Sequence, residues 1–110
     1  MIVDLKTTSD PVDRFNAAKT IIRFDYDLSA ALYVDAFKEY TGKDHSFVFA
    51  FLNKQNGDVG ILKASEALLE NGRKKYKSAI KGLLNAEKTG IYYKEGIQEV
   101  DLPSWAEFKE

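Results

Sequence analysis

Residues Ser46-Phe47-Val48-Phe49-Ala50-Phe51-Leu52 form an almost unbroken apolar run. A run this short, without polar alternation and rich in aromatic and β-branched residues, predicts a strand buried on both faces rather than a surface helix. Gln55-Asn56-Gly57-Asp58 follows as a hairpin turn signal, and Val59-Gly60-Ile61-Leu62 as the return strand. A strand covered on both sides obliges the rest of the chain to supply the cover. This constraint points to a layered α/β fold.

The rest of the sequence divides accordingly. Ile2-Val3-Asp4-Leu5-Lys6 reads as a short strand, with Asp4 and Lys6 alternating onto one face. Thr7-Thr8-Ser9-Asp10-Pro11 ends it, and Ser9 or Asp10 is placed to cap a helix over Val12 to Ile22 with Phe15, Ala18 and Ile22 on its apolar stripe. A second helix is expected from Asp25 to Tyr40. Leu28, Leu32 and Ala36 form one stripe on it, and Ser29, Tyr33, Ala36, Phe37 and Tyr40 form another. Gly42 suits its C-terminal cap. Ser65 caps a long third helix reaching about Lys88, with Leu69, Gly72, Tyr76, Ile80, Leu83 and Leu84 on its stripe. Gly72 is expected to permit close packing on a strand. Ile97 to Leu102 is expected to form a last edge strand, with Trp105 pinning the tail to the body. The aromatic residues Tyr26, Phe37, Tyr40, Phe47, Phe49, Phe51 and Tyr76 fall at core spacings. The expected order is βααββαβ in one domain over residues 1–110.

Composition narrows the function classes. Sixteen basic against seventeen acidic residues give a net charge of −1, which excludes a generally basic nucleic-acid coating protein. The chain has no cysteine, so disulfides, thiolate zinc sites and thiol nucleophiles are excluded, and a reducing cytoplasmic setting fits. The single histidine, His45, argues against a histidine metal cage and reads as a cap or surface residue. No apolar run is long enough to span a bilayer, so no membrane partner is expected.

The residues best equipped for chemistry are Asp4 and Lys6. Residues i and i+2 of a strand share a face, so carboxylate and ammonium lie side by side. The pair can be an ordinary ion pair. Equally, a carboxylate can hold a hard divalent cation, and a lysine can orient water or steady charge on a phosphate. The third helix adds a basic stripe, Lys74, Lys77, Lys81 and Lys88, within a segment from Glu70 to Glu95 that also carries Arg73, Lys75 and Lys94. It reads either as a DNA phosphate-tracking face or as a solvated helix surface.

Several segments together, IVDLKTT, YDLSAALYVDAF, FVFAFLNK, ENGRKKYKSAI, the following TG and the tail LPSWA, occur in this order over nearly the whole chain. The ensemble resembles the C-terminal half of the exonuclease VIII-like phage and prophage nucleases of the PD-(D/E)xK superfamily. The resemblance implies a restriction-endonuclease-like core, and a Mg²⁺-dependent exonuclease acting on double-stranded DNA ends in phage-type recombination. It implies Asp4 as metal-binding acid, Lys6 as catalytic lysine, the Leu5 backbone carbonyl as a further metal ligand and Thr7 in support. On the next helix Tyr33 matches the tyrosine of a Gln-x-x-x-Tyr pair, whereas Ser29 stands where glutamine is expected and is too short to replace it.

The resemblance also implies an acidic metal ligand upstream of D-x-K, for which Asp4 leaves no room. The chain is therefore expected to be the C-terminal half of a larger nuclease domain, to bind Mg²⁺ weakly or not at all, and to be inactive alone. The alternative is a non-catalytic binding or assembly module that retains the nuclease scaffold. The strand bearing Asp4 is expected to present an open edge, filled by a missing N-terminal half or by association into a homo-oligomer.

Overall fold

A computed structural model describes residues 1–91 and 96–109. Strand β1 (Ile2–Thr8) leads through helices α1 (Arg14–Arg23) and α2 (Tyr26–Thr41) to β2 (Phe47–Asn53), β3 (Val59–Lys63) and the long helix α3 (Glu66–Thr89). The strands form one sheet in the order β1-β2-β3. β1 runs parallel to β2, with Asp4 opposite Phe49 and Lys6 opposite Phe51, and β2 and β3 pair antiparallel. A parallel pair requires a long crossover, which α1 and α2 provide. The β2–β3 turn turns on Gly57 at φ 81°, a left-handed conformation that glycine adopts freely.

All helices cover one face of the sheet. On that face Phe47, Phe49 and Phe51 form a row of fully buried rings, with centroids 4.9 and 5.8 Å apart. Ala17 and Ile21 of α1, Ala30 and Val34 of α2 and Leu69 of α3 close over them. Burial of each ring contributes roughly 2–3 kcal/mol. The other face is open except at Val48: Leu5 is 68% exposed and Ile61 67%, and Val3 and Val59 are nearly as open. β2 is thus sealed on its helix side and only partly shielded at Ala50 and Leu52 on the other. The expectation of a strand buried on both faces holds for Phe47 to Phe49 alone.

The helices differ from their expected faces. α1 begins two residues later than Val12, capped by Asp13, whose Oδ1 accepts from the backbone N–H groups of Phe15 and Asn16 at 3.0 and 3.1 Å. It buries Ala17, Thr20 and Ile21, leaving Phe15, Ala18 and Ile22 outside. α2 starts after Asp25, a left-handed residue (φ 56°, ψ 34°), and buries Asp27, Ala30, Ala31 and Val34. Leu32, Ala36, Phe37 and Tyr40 are exposed instead. Gly42 caps α2 in the left-handed region as expected. Ser65 caps α3 by accepting from Leu68 N–H at 3.1 Å.

Gly72 packs against α2 rather than a strand: a Cβ there would collide with the Asp27 carbonyl and approach Leu28 N to 2.9 Å. Beyond Tyr76 the α3 stripe runs out of partners, and Ile80, Leu83 and Leu84 are exposed. Ile97 to Leu102 forms no strand, and a single 3₁₀ turn at Ser104–Ala106 follows. Trp105, 86% exposed, does not pin the tail. The radius of gyration of 17.1 Å exceeds the roughly 13 Å of a closed domain this size, consistent with the outstretched end of α3 and the tail.

Candidate functional site

The pleat of β1 sends Ile2, Asp4 and Lys6 toward the helices and Val3, Leu5 and Thr7 to the open face. Asp4 and Lys6 therefore sit at the outer margin of the covered face, each side chain 25% exposed, with Lys6 Nζ 3.0 Å from Asp4 Oδ2. Phe49 and Phe51 stand beside them on β2, an apolar wall that strengthens the attraction. The contact is one of charge alone. Its angle falls outside hydrogen-bond geometry, so the enclosed Oδ2 accepts no hydrogen bond. The Lys6 ammonium also lies 4.5 Å from the ring centroid of Tyr26, which fixes its direction by a cation–π contact.

Tyr26 is the residue that sequence spacing missed. Its spacing predicts a core residue, yet the first turn of α2 brings it onto Lys6. Ser29 and Tyr33 make no hydrogen bond to Asp4 or Lys6, and Tyr33 stacks instead on Phe47 with centroids 6.4 Å apart. Thr7 lies on the opposite face from the pair. Leu5 projects its side chain to that face too, but its backbone matters more. Ile2 N–H donates to Ser46 O at 2.8 Å and Lys54 N–H to Thr8 O at 3.0 Å. By alternation the backbone groups of Asp4 and Lys6 also turn to β2, and those of Val3, Leu5 and Thr7 turn to the free edge. The Leu5 carbonyl is thus unused by the sheet.

The geometry meets only part of what a divalent-metal site requires. The orphaned Oδ2 and the outward Leu5 carbonyl are suitable oxygens, but Mg²⁺ demands near-ideal octahedral coordination. Among the described residues no group of three or more His, Cys, Asp or Glu side chains gathers to hold a metal. One carboxylate and one carbonyl do not make a complete Mg²⁺ site.

The basic residues of α3 divide in two. Arg73 forks onto Asp35 with both bonds at 2.8 Å and reaches Glu70 at 2.6 Å, while Tyr76 donates its hydroxyl to Asp35. Lys75 bridges Asp25 and the fully buried Asp27 at 2.9 and 3.0 Å, and Asn71 Nδ2 donates to the other Asp27 oxygen at 2.8 Å. The Arg73 fork holds the Asp35 carboxyl below its ordinary value, against the opposing effect of burial. Hydrogen bonds to Asp25 and Asp27 raise Lys75, and Asp35 and burial raise Tyr76. Arg73 and Lys75 are consequently fasteners between α2 and α3. Lys74, Lys77, Lys81 and Lys88 stay exposed and unpaired among the described residues, and Lys94 lies outside those residues.

Comparison with known proteins places this arrangement. No curated protein matches the chain. A crystal structure of a protein from Eubacterium rectale, named as a candidate exonuclease, overlays 90% of the chain with a TM-score of 0.67 at 14% identity. At that identity the likeness concerns the fold, and the chain spans only 44% of the length of that relative. Residues 1–93 match the PDDEXK-like domain of unknown function DUF3799. With the acid and lysine on one edge strand, the parallel neighbour and the crossover helices all in place, the chain belongs to this PDDEXK-like family.

Proposed function

We propose that the chain carries the lysine-bearing part of a nuclease site that hydrolyses phosphodiester bonds at double-stranded DNA ends, in phage-type recombination and in the cytoplasm. The observation that carries this reading is the Asp4–Lys6 pair, held side by side at the margin of the helix-covered face with Lys6 directed by Tyr26. In that role Lys6 orients the attacking water and steadies the charge that develops on the phosphate. Asp4 holds the ammonium in place, and offers one carboxylate toward a divalent cation. A cation such as Mg²⁺ would supply Lewis-acid activation, but these residues alone do not complete its site, so further carboxylates must come from elsewhere. Lys74, Lys77, Lys81 and Lys88 supply a phosphate-tracking surface on α3. No helix among the described residues is long and apolar enough to cross a membrane.

The test is digestion of linear duplex DNA by the purified chain with Mg²⁺. The expected outcome is no degradation, together with salt-sensitive DNA binding. Mg²⁺-dependent degradation that Lys6→Ala abolishes would show the 110-residue chain to be self-sufficient and overturn the incomplete-site reading. The second reading, a non-catalytic binding or assembly module on the same scaffold, is favoured by Ser29 in place of glutamine and by the lack, among the described residues, of a ligand cluster. Lys6-dependent cleavage, by the chain alone or by a longer form that supplies the further carboxylates, would argue against that module, whereas DNA binding without such cleavage in either would favour it.

A further inference from the structure

The first turn of α2 is not held in the usual way. Its N-cap residue, Asp25, lies in the left-handed region at φ 56° and makes no side-chain cap hydrogen bond. A residue other than glycine adopts that conformation at a cost, and the turn lacks the side-chain acceptor that commonly fixes a helix start. What fixes it comes from α3. Lys75 Nζ reaches Asp25 Oδ1 at 2.9 Å and Asp27 Oδ1 at 3.0 Å, so one ammonium holds the residues on both sides of Tyr26. Asn71 Nδ2 donates to the other Asp27 oxygen at 2.8 Å. Gly72 brings the α3 backbone against the Asp27 carbonyl and Leu28, where a Cβ would collide.

Three residues of α3 thus converge on the one turn of α2 that carries Tyr26. Asp27 is fully buried, and a buried carboxylate adds little stability, because its lost hydration offsets the attraction of its partners. The two helices also have a second fastening, the Arg73 fork on Asp35, further along α2. Joining α2 to α3 therefore does not require a buried charge at Asp27. What the first network adds is the direction of a single turn. From that turn Tyr26 packs against the core, stacks on Phe24 with centroids 5.7 Å apart, and sets its ring 4.5 Å from the Lys6 ammonium.

We propose that Lys75, with Asn71 and Gly72, positions the candidate site: together they set the first turn of α2 and, through the Tyr26 ring, the direction of Lys6. The inference deepens the nuclease reading and rests on it for the task that Lys6 performs. No α3 side chain bonds to Asp4 or Lys6 among the described residues, so the influence of α3 passes through Tyr26. A misplacement of about 1 Å is enough to impair a group that must meet a developing charge. Lys75, Asn71 and Gly72 are positioning residues in this sense, and the burial of Asp27 is what makes their hold on the turn specific.

The experiment is NMR of the full chain, following the ε-methylene protons of Lys6. The nearby ring face should shift them upfield of their random-coil position, and Tyr26→Leu should abolish that shift and so define its full size. Lys75→Ala, and separately Asp27→Asn, should each lose most of it although Tyr26 and Lys6 are both still present. Arg73→Ala is the control. It should lower the urea midpoint yet leave the shift in place, because it releases α2 at Asp35 rather than beside Tyr26. No upfield shift in the wild type, a shift retained in Lys75→Ala or Asp27→Asn, or an equal loss in Arg73→Ala would overturn the proposal. If Lys75→Ala does not fold, Asp27→Asn decides alone. The line positions do not depend on cleavage, so failure of the nuclease reading is seen separately, in the digestion assay.

Discussion

The two halves of α3 share one helix, one apolar stripe and one supply of lysines, yet they belong to different environments. From Glu66 to Tyr76 the helix is clamped: Leu69 enters the core, Gly72 lets the backbone of α2 approach, and Arg73 and Lys75 are tied to carboxylates on or just before α2. From Lys77 onward the same heptad-like pattern meets no partner, and Ile80, Leu83 and Leu84 remain open beside exposed lysines. The difference shows that periodicity defines a face, but only a neighbouring element turns that face into stability. Fasteners and free cations are likewise distinguished by what stands opposite, not by residue type.

Substitutions separate the two halves. Gly72→Ala forces a Cβ into the Asp27 backbone and should cost about 3 kcal/mol or more, read as a fall in the urea midpoint. Lys75→Ala leaves the buried Asp27 carboxylate with the Asn71 amide as its one side-chain donor among the described residues, and should cost about 2–3 kcal/mol in the same assay. Acid provides a milder probe of the clamp. Asp35 titrates below its ordinary 3.8 in the folded chain, so its contribution is present above that pH and is lost as the pH falls through the lower, folded value. Asp35→Asn should flatten that part of the acid stability profile. In the distal half Leu83→Ser should change stability by no more than about 0.5 kcal/mol. Lys77→Gln and Lys81→Gln should leave the melting temperature unmoved while each lowers the salt slope of DNA binding by roughly 0.9.

Much of this was legible locally. The β1 alternation places Asp4 beside Lys6, the apolar run marks β2, and Asn56-Gly57, Ser65, Gly42 and Gly90 punctuate the elements where the structure does. Alternation alone also puts Thr7 on the far side from the pair. What sequence did not disclose depends on distant partners. α1 carries apolar residues on more than one face, and Ala17 and Ile21, rather than Phe15 and Ile22, are turned inward because small and branched side chains fit under Phe49 and its neighbours. α2 is apolar nearly all round, so periodicity could not choose its buried side. Tyr26 reaches Lys6 across twenty residues, a contact no spacing rule encodes. Ile97 to Leu102 has strand character but gains no ladder, and propensity without a paired neighbour does not make a strand.

The parallel registration of β1 with β2 has a consequence for the order in which the molecule assembles. The β2–β3 hairpin closes over a short turn, but β1 can dock only after the intervening α1–α2 crossover is in place, a closure between residues 45 positions apart at Ile2 and Phe47. Such non-local closures come late in folding, because loop entropy is lost before the contacts reward it. An edge strand docked last also has the fewest neighbours to hold it and is among the first to fray. The strand bearing Asp4 and Lys6 is thus the final piece set into the fold, and hydrogen exchange should find it opening ahead of the β2–β3 hairpin.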